Sequence, residues 1–297
     1  MNPNQPAAVT AIPTSVRFAF GTASAISATF FTHPIDVIKY FMQLKGGNLG
    51  TIGCGMQLVK DNGITSLYKG MSASVMRQAS YGTARLGIYT TLLDKFTHQD
   101  GSPPPLYQKL AFSASAGGIG AFVGNPFDLC LVRMAADSSL PLTARRNYTS
   151  VFDGVSRIAR NEGVASLWIG SGPTMTRCVI LNMAQLTTYT QAKEELLKTS
   201  YFVDNIYCHL ASSMISGFVA TCASTPFDVA KTRIQYDSVG HYRGMVHCLV
   251  DTAKTEGVLK LWSGFTPAYL RLAPQTVLVF VFLEQMNHMY REYMTLK

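Results

Sequence analysis

HPIDVIK (His33 to Lys39), NPFDLCL (Asn125 to Leu131) and TPFDVAK (Thr225 to Lys231) are one phrase written three times, at an interval of about a hundred residues. Self-similarity at a fixed period identifies a repeat architecture before any other feature is read. A second phrase follows each first one: NGITSLYKG (Asn62 to Gly70), EGVASLWIG (Glu162 to Gly170) and EGVLKLWSG (Glu256 to Gly264). In each, two glycines stand seven apart, with Tyr68, Trp168 or Trp262 five after the first. Two phrases recurring in register divide the chain into repeats at 1–100, 101–200 and 201–297.

Upstream of each proline lies an apolar stretch with small residues at matching offsets, Gly21/Ala25, Ser113/Gly117 and Ser213/Gly217. Such small-xxx-small spacing lets helix backbones approach closely in lipid. Downstream of each closing glycine runs a second apolar pattern of about 25 residues, long enough at about 1.5 Å per residue to cross a 30 Å hydrocarbon core. The expected fold is an all-α membrane protein with six spans, at about 16–43, 71–96, 107–136, 171–197, 205–236 and 265–291. An even number of spans leaves both termini on one side. Between the two phrases, the stretches 52–61, 151–161 and 245–256 read as short amphipathic helices lying at the interface. DGSPPPLY (Asp100 to Tyr107) and the stretch 200–204 mark the repeat boundaries by proline and turn chemistry.

Composition agrees. The 297 residues are 47% hydrophobic and only 14% charged, with a net charge of +8, where a soluble domain carries about a quarter charged residues. Disorder is excluded by the same figures. The mean hydropathy of +0.15 is mild, which suits spans lined partly by polar residues around a wet cavity. Basic residues are scattered rather than gathered into a stripe, so an anionic solute or membrane surface fits better than nucleic acid. Cys54, Cys130, Cys178, Cys208, Cys222 and Cys248 form no metal-binding or CxxC spacing and read as small packed hydrophobes. Neither the cysteines nor the histidines suggest a metal, and no catalytic triad or phosphate loop is present, so the expectation is a protein that is not an enzyme. The first 15 residues lack the pattern of a cleaved signal or transit segment, which places any targeting information inside the chain.

Pro34, Pro126 and Pro226 fall inside their spans, where each removes a backbone donor and kinks the helix. Two residues on stand Asp36, Asp128 and Asp228; five on stand Lys39, Leu131 and Lys231. An unpaired charge at membrane depth is costly, so these residues should pair between helices. Seven past each closing glycine comes Arg77, Arg177 or Arg271, and three such arginines at equivalent height would converge on one central spot. The planar guanidinium fork grips a carboxylate bidentately, and a small dianion fits three of them. Eight residues further the symmetry breaks, with Arg85, Gln185 and Val279. An asymmetric fourth cation orients a substrate with two unlike ends, such as a keto dicarboxylate. Static ion pairs for the carboxylates and helix-to-carbonyl contacts for the arginines are the plainer readings.

With these phrases the whole chain resembles the mitochondrial carrier family. The resemblance implies a six-helix barrel of threefold pseudosymmetry with three short matrix helices, a central cavity, and alternating opening to the two sides of the inner mitochondrial membrane. Segments RLGIYT (Arg85 to Thr90), SMISG (Ser213 to Gly217), AKTRIQ (Ala230 to Gln235) and TVLVFVFLEQMN (Thr276 to Asn287), with RMAADSSLP (Arg133 to Pro141), Arg145 and Arg146, are most similar to its 2-oxoglutarate/malate branch.

The family pattern implies a matrix-side gate in which Asp228 pairs with Lys39 and Asp128 with Lys231, while Asp36 faces Leu131 without a cation unless Arg133 reaches it. Gln43 and Gln235 resemble the glutamines that brace such bridges, and Ala135 leaves the third brace absent. An opposite gate reads weakly at Thr90/Leu93, Thr190/Lys193 and Glu284/Asn287. Arg85, Arg177 with Cys178, and Arg271 fall at the family's substrate contact points, joined by Arg77, Gln185, Tyr81 and Asn182. Helix N-termini near Gly70, Gly170 and Gly264 would hold cardiolipin phosphates.

The implied function is exchange of 2-oxoglutarate for malate or a related dicarboxylate by alternating access. Phosphate, sulfate or a simple dicarboxylate as solute is an alternative. A further one, motivated by Leu131, Ala135 and the incomplete opposite gate, is a carrier-fold structural subunit of a larger inner-membrane, respiratory complex.

Overall fold

Each repeat folds as a long helix, a short helix, a 3-10 turn and a second long helix. The computed structural model describes residues 14–45, 50–96, 105–137, 140, 145–198, 206–237 and 240–295. The stretches 100–104 and 200–204, and nearly all of the N-terminal segment discussed above, lie outside the described residues. The first repeat contains α1 (Thr14–Lys45), α2 (Thr51–Asn62) and α3 (Met71–Phe96). The second contains α4 (Leu106–Ala136), α5 (Val151–Asn161) and α6 (Ser171–Lys198). The third contains α7 (Ile206–Tyr236), α8 (Met245–Thr255) and α9 (Phe265–Thr295). The six long helices coincide with the expected spans to within a few residues, and the described residues contain no strand.

Hydropathy by itself marks only Ala111–Ala136 and Val258–Met294 as membrane-crossing. Helices α1 and α7 dilute their apolar character with buried polar side chains, among them Ser24, Thr29 and Thr32, and Ser212, Ser216 and Thr221. The three short helices are two-faced. Cys54 and Leu58 of α2, Val151 and Ile158 of α5, and Cys248 and Thr252 of α8 are buried. Ile52, Phe152 and Val246, the second residue of each helix, are exposed apolar side chains, as an interfacial helix requires. Ser150 caps α5 by accepting from the Asp153 amide, while the Asp153 carboxylate accepts from the Thr149 amide at 3.1 Å.

The helices close into a ring. Each repeat packs its own two long helices together (α1 on α3, α4 on α6, α7 on α9), and its second long helix packs on the first of the next repeat (α3 on α4, α6 on α7, α9 on α1). The first long helix of each repeat, α1, α4 and α7 (spans one, three and five, hence the odd helices), also meets the other two, whereas α3, α6 and α9 show no comparable packing among themselves. Pro34, Pro126 and Pro226 lie inside the three odd helices.

Of the small residues expected to be close-packed, Gly117 and Gly217 are buried against Asn182 and Leu272, and a further stripe lies beside them. Ser24/Ala28/Thr32, Ala116/Gly120/Gly124 and Ser216/Ala220/Ser224, all ahead of their prolines, form the buried stripes. A Cβ added at Gly120 would lie 3.3 Å from Tyr81 O, whereas Gly21 has nothing within 4 Å. In α4 the two phases serve two neighbours, Gly120 and Gly124 facing α3 and Gly117 facing α6.

Candidate functional site

Pro34, Pro126 and Pro226 each bring a short charged segment to the place where the odd helices meet, and there the carboxylates find partners from other repeats. Lys39 Nζ donates to Asp228 Oδ2 at 2.8 Å, and Lys231 Nζ lies 2.5 Å from Asp128 Oδ2. All four side chains are buried. Gln235 Nε2 donates to Asp128 Oδ2 at 3.2 Å and so braces the second pair. Gln43 does not brace a bridge: its Oε1 accepts from Thr232 Oγ1 at 2.7 Å, next to Lys231 in sequence. Ala135, where a third glutamine is missing, is fully buried in the apolar cluster around Leu131 and Met134.

The expected vacancy at Asp36 is filled. Leu131 brings no charge, but Arg271 Nη1 donates to Asp36 Oδ2 at 3.1 Å. Arg133 does not reach Asp36. Its guanidinium grips both oxygens of Glu162, at 2.5 and 2.9 Å, and its Nε donates to Gln235 O at 3.1 Å. Arg133 therefore ties α4 to the second phrase of its own repeat and to the end of α7, and the reading of it as a gate cation is corrected. Arg233 does the same one repeat later, holding Glu256 bidentately and donating to Gln43 O at 3.3 Å. The signal was present in the sequence: both arginines stand seven after their proline, and both glutamates open the second phrase. Repeat one departs from it with Phe41 and Asn62, and there Arg145 Nη2 donates to Asn62 Oδ1 at 2.6 Å instead.

The three arginines expected to gather at one point follow a cyclic rule instead. Arg77 Nε lies 3.8 Å from Asp128 Oδ1, Arg177 Nε lies 3.0 Å from Asp228 Oδ1, and Arg271 reaches Asp36. Each arginine thus meets the aspartate of the following repeat, while each lysine meets the aspartate of the preceding one. The Nε–H groups of all three are buried; that of Arg177 rests against the Asp228 carboxylate, whereas those of Arg77 and Arg271 make no hydrogen bond. A buried donor without an acceptor costs about 1–3 kcal/mol. Arg77 and Arg271 each present such a donor, and Arg177 stands at the equivalent position.

Of the other residues expected to bind, Tyr81 and Cys178 line a small cavity of about 60 Å³ together with Arg77, Arg177, Asp128 and Lys231. That is room for a few water molecules. Arg85 is exposed on α3, its guanidinium carbon 5.7 Å from the Tyr81 ring centre. Asn182 and Gln185, one and two turns beyond Cys178 on α6, line a further cavity of about 800 Å³ with Tyr89, Ser113 and Ser213. At the opposite end, Glu284 is exposed and no ion pair joins it to Lys193 among the described residues. The Thr90 hydroxyl donates within its own helix, to Leu86 O at 2.9 Å. No group of three or more metal-ligating side chains occurs among the described residues.

Comparison with known proteins gives three matches to one family profile, described as Mitochondrial carrier protein, at residues 11–100, 102–200 and 203–294. The mouse mitochondrial 2-oxoglutarate/malate carrier protein is 46% identical over 94% of this chain and 92% of its own length. Its Caenorhabditis elegans counterpart is 43% identical over 95% of both chains. Mitochondrial uncoupling protein 5 of Arabidopsis thaliana is 39% identical over 93% of this chain and 98% of its own.

Proposed function

The chain belongs to the mitochondrial carrier protein family, and from that premise we propose that it is a multi-pass antiporter of the inner mitochondrial membrane exchanging 2-oxoglutarate for malate or a related dicarboxylate. No covalent step is involved, so the protein is a carrier and not an enzyme. The observation that carries the reading is the set of three equivalent arginines, each held beside the aspartate of the next repeat, with the Nε–H of Arg77 and of Arg271 buried and left without an acceptor. A substrate with two carboxylates offers the oxygens these donors lack.

The same carboxylates compete with Asp36, Asp128 and Asp228 for the arginines. Binding in the site therefore withdraws cations from the closed end and favours the state in which that end separates. Transport follows from this differential binding to two conformations. Tyr81 and Cys178 border the arginine pair Arg77/Arg177, and Arg85 extends the positive wall along α3. A cleft of about 310 Å³ where Lys69 to Ser72 face Asn147 to Thr149 suits an anionic lipid headgroup such as that of cardiolipin.

The structural-subunit reading drew on Leu131, on Ala135 and on the incomplete opposite gate; Arg271 beside Asp36 removes the first of these grounds, and the similarity over nearly the full length to 2-oxoglutarate/malate carriers favours transport. The deciding experiment is uptake of labelled 2-oxoglutarate into liposomes preloaded with malate or left empty, with the wild-type protein and Arg177→Ala. Uptake that requires internal malate and is lost in the variant is expected. Correctly folded wild-type protein that moves no dicarboxylate would sink the proposal.

A further inference from the structure

Arg133 and Arg233 obey one rule, and the first repeat breaks it. Each stands seven past its proline, holds the glutamate that opens its own second phrase, and donates to the end of another repeat's long helix: Arg133 to Gln235 O and Arg233 to Gln43 O. These clasps tie the second repeat to the third and the third to the first. At the equivalent places of the first repeat stand Phe41 and Asn62, which offer neither the guanidinium nor the carboxylate.

The remaining seam, between the first and second repeats, is tied from the other side. Arg145 Nη2 donates to Asn62 Oδ1 at 2.6 Å, and its Nε donates to Leu140 O at 3.2 Å. Its neighbour Arg146 turns to the third repeat, donating to Tyr236 O at 3.1 Å with its guanidinium carbon 5.2 Å from the Tyr236 ring centre. Asp137, buried at the end of α4, fixes the backbone that bears them: its carboxylate accepts from Arg146 N at 2.7 Å and from Asn147 N at 3.1 Å. Six and five residues ahead of each short helix the sequence has Lys45–Gly46, Arg145–Arg146 and Val239–Gly240, so the pair belongs to the second repeat alone.

We infer that Arg145 is a positioning residue of the transport cycle: through Asn62 it makes the clasp that Phe41 leaves unmade, and this clasp is the first of the three to part. The inference deepens the reading of the chain as a dicarboxylate exchanger and rests on it. Its ground is relative strength. Arg133 and Arg233 each grip a carboxylate with two charge-assisted bonds, whereas Arg145 makes one bond to a neutral amide. Separating the end where the odd helices meet therefore costs least along the seam between the first and second repeats. The amide at position 62, in place of the carboxylate at 162 and 256, keeps that cost low.

The test is Asn62→Asp, which places a carboxylate oxygen where Arg145 already donates. In the malate-loaded liposome assay the maximal exchange rate is expected to fall by at least about fivefold, with KM for 2-oxoglutarate no higher than in the wild type. Arg145→Gln on the Asn62→Asp background removes the strengthened tie and must restore the rate, whereas general damage would persist. A folded Asn62→Asp protein with the wild-type rate, or a slow one that Arg145→Gln does not relieve, overturns the inference. Should Asn62→Asp fail to fold, Asn62→Ala and Arg145→Gln take its place in thermal unfolding. The tie then requires their shifts to be non-additive, and additive shifts overturn it. Wild-type protein that moves no dicarboxylate would refute the proposed function, while the unfolding cycle still reports on the tie, so the two failures are distinguishable.

Discussion

At Gly170 a single added carbon decides whether two repeats can meet. The residue sits at φ +80°, and a Cβ there would stand 2.6 Å from Gln235 Cγ. Gly163, seven residues earlier, has φ +90° but open space around it. Alanine at either position bears the left-handed backbone cost of about 1–2 kcal/mol; at Gly170 the contact with α7 is displaced as well. Gly170→Ala is therefore expected to lower the unfolding temperature more than Gly163→Ala, and equal shifts would show that this contact is slack. Arg133 gives a second prediction at this scale. Its side chain is fully buried and its charge is met by Glu162, so Glu162→Gln should destabilise by about 1–3 kcal/mol in chemical denaturation.

Helix α8 and the turn behind it are fastened to α7 by Arg233 and Glu256. The hydrogen bonds and charge of Arg233 hold the Glu256 carboxyl below its ordinary value of 4.5. A carboxylate with a lowered folded value contributes stability that is complete above the ordinary range and is lost as pH falls through the lowered value. Acidification into and below the ordinary glutamate range should accordingly lower the unfolding temperature, and Glu256→Gln should flatten part of that acid limb. An acid limb identical in the variant would mean that other carboxylates carry it. The bounds of these elements were readable in advance: α3 at 71–96 and α5 at 151–161 coincide with the expectation, because period and glycine punctuation are local properties. The second packed stripe, with Gly120 and Gly124 against α3, was not readable, since only the neighbouring helix decides which small residues it covers.

Over the whole molecule, closure depends on residues far apart in the chain. Lys39 and Asp228 are separated by 189 positions, yet stand 2.8 Å apart. Lys39→Asp or Asp228→Lys singly should cost about 3–5 kcal/mol of closed-state stability by leaving buried charge uncompensated. The double reversal should recover part of it, and only part, because Arg177 also faces position 228 at 3.0 Å from the native carboxylate. Full recovery in thermal unfolding would remove Arg177 from the network. No recovery would deny the pair.

The threefold repeat, the six long helices, the kinking prolines and the identity of the charged residues follow from the sequence alone, because each is written as a local pattern and written three times. The lysine partners of Asp228 and Asp128 were expected from the family pattern, whereas the partners of the arginines were decided only by the tertiary structure. Arg271 and Asp36 are 235 residues apart, and no spacing along the chain says that α9 closes on α1 with this arginine at the height of that aspartate. Packing sets the rotation and depth of each helix in the ring, and those two quantities determine which fork meets which carboxylate.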